Sequence, residues 1–116
     1  MRRFRLSDLQ DREGPDQVFS ALMKGKRLYS GGVAFHGPGF VTHDDDHPHT
    51  HDDQEIFCLL QGEGWIDLEG RREPVRAGDV LVIEPGEDHH LISSDDSPLI
   101  NLWLHADDAG HPDQFP

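Results

Sequence analysis

The sequence predicts an all-β domain, an antiparallel sandwich or barrel of about eight or nine short strands. Three observations predict it. Apolar residues come in short runs, and only one stretch, from Pro15 to Gly25, carries the three-and-four spacing of a helical turn. Turn signals recur at close intervals: Gly37-Pro38-Gly39, Gly62, Glu69-Gly70, Ala77-Gly78-Asp79, Pro85-Gly86 and Asp95-Asp96-Ser97-Pro98. Gly and Pro together make up 20 of the 116 residues, a density that suits many short elements. At this length there is room for one domain around one modest core.

The elements follow in order. Arg3-Phe4-Arg5-Leu6 alternates and reads as a short strand. Val18, Phe19, Leu22 and Met23 share one face of a helical turn opened by Pro15. Leu28 to Phe35 is a strand weakened by Gly31-Gly32. His43 to Asp53 is a polar loop, and Glu55 to Leu60 is a strongly apolar strand. Trp65 to Leu68 and Arg71 to Val75 form a hairpin about Glu69-Gly70. Val80 to Ile83 is a buried strand, and His89 to Ser93 and Leu99 to Leu104 complete the set. Residues 1–29 read as an N-terminal arm, 30–105 as the barrel, and 106–116 as an acidic tail.

Composition excludes several functions. Asp and Glu number 23 against 10 Lys and Arg, a formal charge of −13, so free nucleic acid and anionic membranes are poor partners. Small molecules and cations are better ones. The single cysteine, Cys58, excludes an intrachain disulfide framework. The basic start at Met1-Arg2-Arg3 lacks a following apolar run, so the chain is expected to be soluble and cytoplasmic.

The nine histidines are the anomaly. His47, His49 and His51 alternate, and in a strand alternate residues share a face, so two of them can converge on one ion. Glu55 follows four residues after His51, and His89 follows Pro85-Gly86 beside a buried strand. Three imidazoles and a carboxylate suit one divalent transition metal, Fe, Mn, Ni, Zn, Co or Cu, rather than Ca or Mg. A solvated acidic loop that happens to hold histidines is the plain alternative for the alternating run alone.

The pattern resembles the cupin superfamily, in its small single-domain members. His49, His51, Glu55 and Gly62 carry the spacing of the first cupin motif, and Gly78, Gly86 and His89 that of the second. The 15 residues between Gly62 and Gly78 match the compact interval of small bacterial cupins. His43 stands where the first motif has a glycine, Glu84 where the second has its proline, and Ser93 where an asparagine often ends it. The resemblance implies a double-stranded β-helix, or jelly roll, with His49, His51, Glu55 and His89 as metal ligands and two open coordination positions. It further implies action on a small oxygen-rich molecule, as a dioxygenase or an isomerase or lyase, with a non-enzymatic ligand-binding or sensor module as the alternative.

Other residues are assigned against that frame. His47 is a rival ligand that would set Glu55 out of register, and His43 is a mouth or loop residue. His90 directly follows a ligand and is expected on the opposite face. His105, at the end of the last strand, is expected at the rim, with a pocket base as the lesser option. Parity from Glu55 places Phe57 and Leu59 on the lumen face and Ile56, Cys58 and Leu60 on the other. The apolar front end, with Phe4, Leu6, Val18, Phe19 and Leu22, predicts a homodimer.

Overall fold

A computed structural model describes residues 1–9, 27–39 and 52–107. The expected helical turn, the tail beyond residue 107, and His43, His47, His49 and His51 lie outside the described residues. The elements are β1 (Arg2–Arg5), a 3-10 turn (Leu6–Leu9), β2 (Arg27–His36), β3 (Gln54–Gln61), β4 (Glu63–Leu68), β5 (Arg71–Arg76), β6 (Asp79–Ile83), β7 (His89–Ser93) and β8 (Leu99–Asp107). All pairings are antiparallel.

The strands form two sheets, one in the order β1-β6-β3-β8-β2 and one in the order β5-β4-β7. β3 is central to the first because both its faces are apolar. Phe57 and Leu59 join Ile66, Leu68, Leu81, Ile83, Leu91 and Leu99 in the core between the sheets. Ile56 and Cys58 join Val80, Val82 and Ala106 in a second cluster on the opposite face of the larger sheet. Period-two alternation in Glu55–Leu59 therefore serves two cores at once, and the predicted parity holds. Burial raises the Cys58 thiol above its ordinary pKa, as expected of a small buried hydrophobe.

Near its end β3 shifts register between Leu59 and Gln61 against Asn101 and Ile100 of β8, and Leu60 is turned out to 49% exposure. Gly62 then turns the chain into β4 with φ of 87°. At the predicted hairpin, Glu69 and Gly70 both have positive φ, 49° and 81°, the type I′ geometry that matches the twist of β4 and β5.

Residues 2–5 join the sheet of their own chain. Arg2 to Arg5 pair with Val82 to Asp79, and Arg3 and Arg5 each place a guanidinium 2.8 Å from the buried Asp79 carboxylate. Asp79 also accepts from the backbone N–H of Arg76 at 2.9 Å. Among the described residues no helix is long and apolar enough to cross a membrane.

Candidate metal centre

Glu55 lies on the lumen side of β3, opposite Ile83 of β6 and His105 of β8. It is 5% exposed. A buried carboxylate carries a large desolvation cost unless it is paired, and here both oxygens face an imidazole. Oε1 is 3.1 Å from His89 Nε2, and Oε2 is 3.0 Å from His105 Nε2.

His89 reaches this point from the turn between β6 and β7. That turn is held by the Glu84 N–H, which donates to Glu87 Oε1 at 2.7 Å, and by Gln54 Nε2, which donates to Glu84 Oε2 at 2.7 Å. The imidazole stands edge-on to Phe57 at 5.7 Å between ring centres. Its Nδ1–H donates to the backbone carbonyl of Glu87 at 2.8 Å. A carbonyl only accepts, so the proton is fixed on Nδ1, and in the neutral ring Nε2 presents a lone pair to Glu55.

Two acceptors 3.1 Å apart repel unless a cation lies between them. A proton would serve, and so would a metal ion. Adjacent ligands about 2.1 Å from one ion at a right angle lie about 3 Å apart. The Glu55–His89 pair therefore has the spacing of one edge of a coordination shell, and the donor types fit a divalent transition ion. Among the described residues no group of three His, Cys, Asp or Glu side chains could hold a metal ion, and His43, His47, His49 and His51 lie outside them.

His105 corrects an expectation. The sequence ends the last strand at Leu104 and puts His105 at the rim. Instead β8 runs to Asp107, flanked by β2 and β3, and His105 is 5% exposed. Its Nδ1–H donates to Asp53 Oδ2 at 3.0 Å. Burial by itself would lower the pKa of this ring, but the hydrogen bond to Glu55 and the charges of Glu55 and Asp53 outweigh it and raise it above the ordinary value. Trp103 covers its flank edge-on at 5.6 Å. The sequence reads Asp52-Asp53 as part of a solvated acidic rim; Asp52 is exposed, but Asp53 is 3% exposed and turned inward against His105. The signal that finds His105 is parity: Leu99, Asn101, Trp103 and His105 alternate on β8, and Leu99 lies in the inter-sheet core. Asn101 is also buried there, with no hydrogen-bond partner for Oδ1 among the described residues.

His90 lies on the opposite face, as predicted. It stands across from Asp67 on the outer side of β4 and pairs with Asp88 at 3.0 Å. Trp65 also faces outward on β4, 37% exposed.

Comparison with known proteins agrees with this architecture. The cupin domain family matches residues 38–105. Similar solved structures include a cupin protein from Bacteroides fragilis, 27% identical with a TM-score of 0.57, covering 66% of this chain and 64% of that one. A cupin 2 conserved barrel domain protein from Salinispora arenicola is 26% identical with a TM-score of 0.60, covering 68% of this chain and 63% of that one. A predicted oxalate decarboxylase from Thermotoga maritima is 25% identical with a TM-score of 0.58, covering 77% and 73%. Among curated proteins, a glucose-6-phosphate isomerase from Pyrococcus abyssi is 32% identical over 71 residues, 56% of this chain. This chain spans only 38% of that isomerase's length. The family match covers more than half of the chain and contains Glu55, His89 and His105, and the chain belongs to the cupin domain family.

Proposed function

We propose that this cupin is a metal-dependent protein acting on a small oxygen-rich molecule, by isomerase or lyase chemistry, with the ion held by His49, His51, Glu55 and His89. One observation carries the reading: His89, its tautomer fixed by the Glu87 carbonyl, aims Nε2 at Glu55 Oε1 from 3.1 Å inside the barrel. When bound, a divalent ion polarises a carbonyl or acidifies a water. The chain's own residues do the rest. Glu55 and His89 hold the ion from two strands of different sheets. Phe57, Leu59 and Trp103 line the interior with apolar surface. Asn101 offers a buried acceptor without a partner among the described residues, which suits a polar ligand or an ordered water.

Isomerase or lyase chemistry is preferred to oxygen chemistry because the named relatives are an isomerase of glucose 6-phosphate and a predicted oxalate decarboxylase. The test is elemental analysis of untagged protein, followed by titration with Mn(II), Fe(II), Ni(II) and Zn(II). One equivalent is expected for the wild type. His49→Ala, His51→Ala, Glu55→Ala and His89→Ala should each weaken binding at least tenfold, while His47→Ala and His90→Ala should not. Turnover is then sought on phosphorylated sugars and on oxalate and keto acids, with oxygen uptake monitored. Equal affinities across all six variants would overturn the ligand set. Oxygen uptake with substrate would replace the isomerase or lyase reading with a dioxygenase. We also propose that the chain is a homodimer, on the exposed apolar Val33 and Phe35 of β2.

A further inference from the structure

We propose that His105 and Asp53 form a positioning clamp that holds Glu55 by Oε2 and leaves Oε1 alone to face His89 and the ion. The inference rests on the reading of Glu55 as a ligand and adds two residues to that site.

The geometry is a row of four side chains: Asp53 Oδ2 to His105 Nδ1 at 3.0 Å, His105 Nε2 to Glu55 Oε2 at 3.0 Å, and Glu55 Oε1 to His89 Nε2 at 3.1 Å. Each member is buried, at 3%, 5%, 5% and 1% exposure in that order. The two histidines differ in what stands behind them. His89 is backed by a neutral carbonyl, which fixes one tautomer and leaves Nε2 as a ligand atom. His105 is backed by a carboxylate and faces a second one, and carboxylates only accept. Its Nδ1–H donates to Asp53 Oδ2, and its Nε2 meets Glu55 on Oε2, the oxygen that does not face His89. His105 thus stands behind the ligand, on the side of the carboxylate away from His89.

The consequence is denticity. A glutamate has three side-chain torsions, and a free carboxylate can chelate an ion through both oxygens or swing away from it. Holding Oε2 from behind removes both options. A one-oxygen ligand occupies one position, so a position is kept open for water or substrate. Outer hydrogen-bond partners of this kind typically contribute 10–100-fold to metal affinity. His105 and Asp53 are positioning residues, since they act through Glu55.

The experiment uses the full chain loaded with Co(II) or Mn(II). Affinity is read by competition with a chelator, and carboxylate binding mode by X-ray absorption and the Co(II) visible spectrum. His105→Phe should lower affinity at least tenfold and change the spectrum. Asp53→Asn should do the same more weakly. His105→Gln, which keeps one donor for Glu55, should recover part of the loss, and with Asp53→Asn it keeps the test open should the Phe variant fold poorly. Wild-type affinity and an unchanged spectrum in all three variants would overturn the clamp while leaving the metal site intact.

Failure of the metal reading looks different, with Glu55→Ala binding the ion as the wild type does. The clamp is then tested without metal by a double-mutant cycle between His105→Gln and Glu55→Ala in urea unfolding. Non-additive effects support the contact, and strictly additive ones overturn it.

Discussion

Gly62 shows how a motif residue earns its place through backbone geometry. Its φ of 87° is a left-handed conformation that side chains resist, and a Cβ there would collide with the carbonyl oxygen of Pro98. The neighbour is backbone, so it cannot rotate away. Gly62→Ala is expected to cost about 3 kcal/mol or more in urea unfolding, combining strain and overlap. A loss under about 0.5 kcal/mol would show that this junction can relax. The same residue was legible in the sequence because turn chemistry is written in glycine and proline, and Glu55 and His89 were legible as a pair through the resemblance to the cupin motifs, a pair the structure sets 3.1 Å apart. His105 and Asp53 were not. Their meaning depends on the pairing of β3 with β8, which sets residues some fifty positions apart side by side, and the strand signal at Leu99–Leu104 gives no reason to extend β8 through a polar His-Ala-Asp end. Cys58 was read correctly because parity along a single strand decides it. Its burial predicts slow reaction with a thiol reagent in the native protein and fast reaction on unfolding, and a rapid native reaction would contradict the packing.

At the scale of elements, β1 is attached by charge as much as by its ladder. Asp79 is 1% exposed and sits between Arg3 and Arg5, which are each about a third exposed. Burial would raise the Asp79 carboxyl, but hydrogen bonds from Arg5 and the Arg76 N–H, with the charge of Arg3, overcome it and hold the group below the usual carboxylate range. The sign follows directly. A carboxyl depressed in the folded state contributes stability that is present above its unfolded pKa of about 3.9 and is lost as pH falls through the folded value. Unfolding free energy should therefore fall below about pH 4, and the fall should be shallower in Asp79→Asn. The asymmetry of burial also ranks the variants. Removing the acid leaves two arginines that water can reach, at about 1–2 kcal/mol for the lost hydrogen bonds. Removing both arginines leaves a buried carboxylate with only the Arg76 N–H as a partner, at about 3 kcal/mol. An Arg3→Ala/Arg5→Ala double variant as stable as Asp79→Asn would contradict this account. The strands themselves were legible from alternation and turns. The attachment of β1 to β6 was not, because nothing in Arg3-Phe4-Arg5 names its partner until Asp79 is seen to be buried.

For the whole molecule, the larger sheet ends at β2 among the described residues, and that end is apolar. Val33 is 45% exposed and Phe35 73%, and they stand across from Leu102 and Ile100 on β8. An uncovered edge with large apolar side chains is an aggregation hazard that proteins remove by pairing or covering it. A second copy related by a two-fold axis can do so with the same patch on each side. In the front end, Phe4 packs partly onto its own chain's cluster of Ile56, Cys58, Val80 and Val82, Leu6 is 46% exposed, and Val18, Phe19 and Leu22 lie outside the described residues. Two forces oppose each other in such a dimer. Burial of a phenylalanine side chain stabilises by roughly 1.5–3 kcal/mol per copy, while two chains of formal charge −13 repel over a range of about 10 Å at 0.1 M salt. Association should therefore tighten as salt is raised, the reverse of a dimer held by ion pairs. Light scattering at tens of micromolar is expected to give twice the 13.1 kDa chain mass, more completely at 0.5 M than at 0.05 M salt. Phe35→Asp should shift it to monomer without loss of thermal stability per chain. A monomer for the wild type at both salt concentrations, or a dimer untouched by Phe35→Asp, would show that this edge is not where two copies meet.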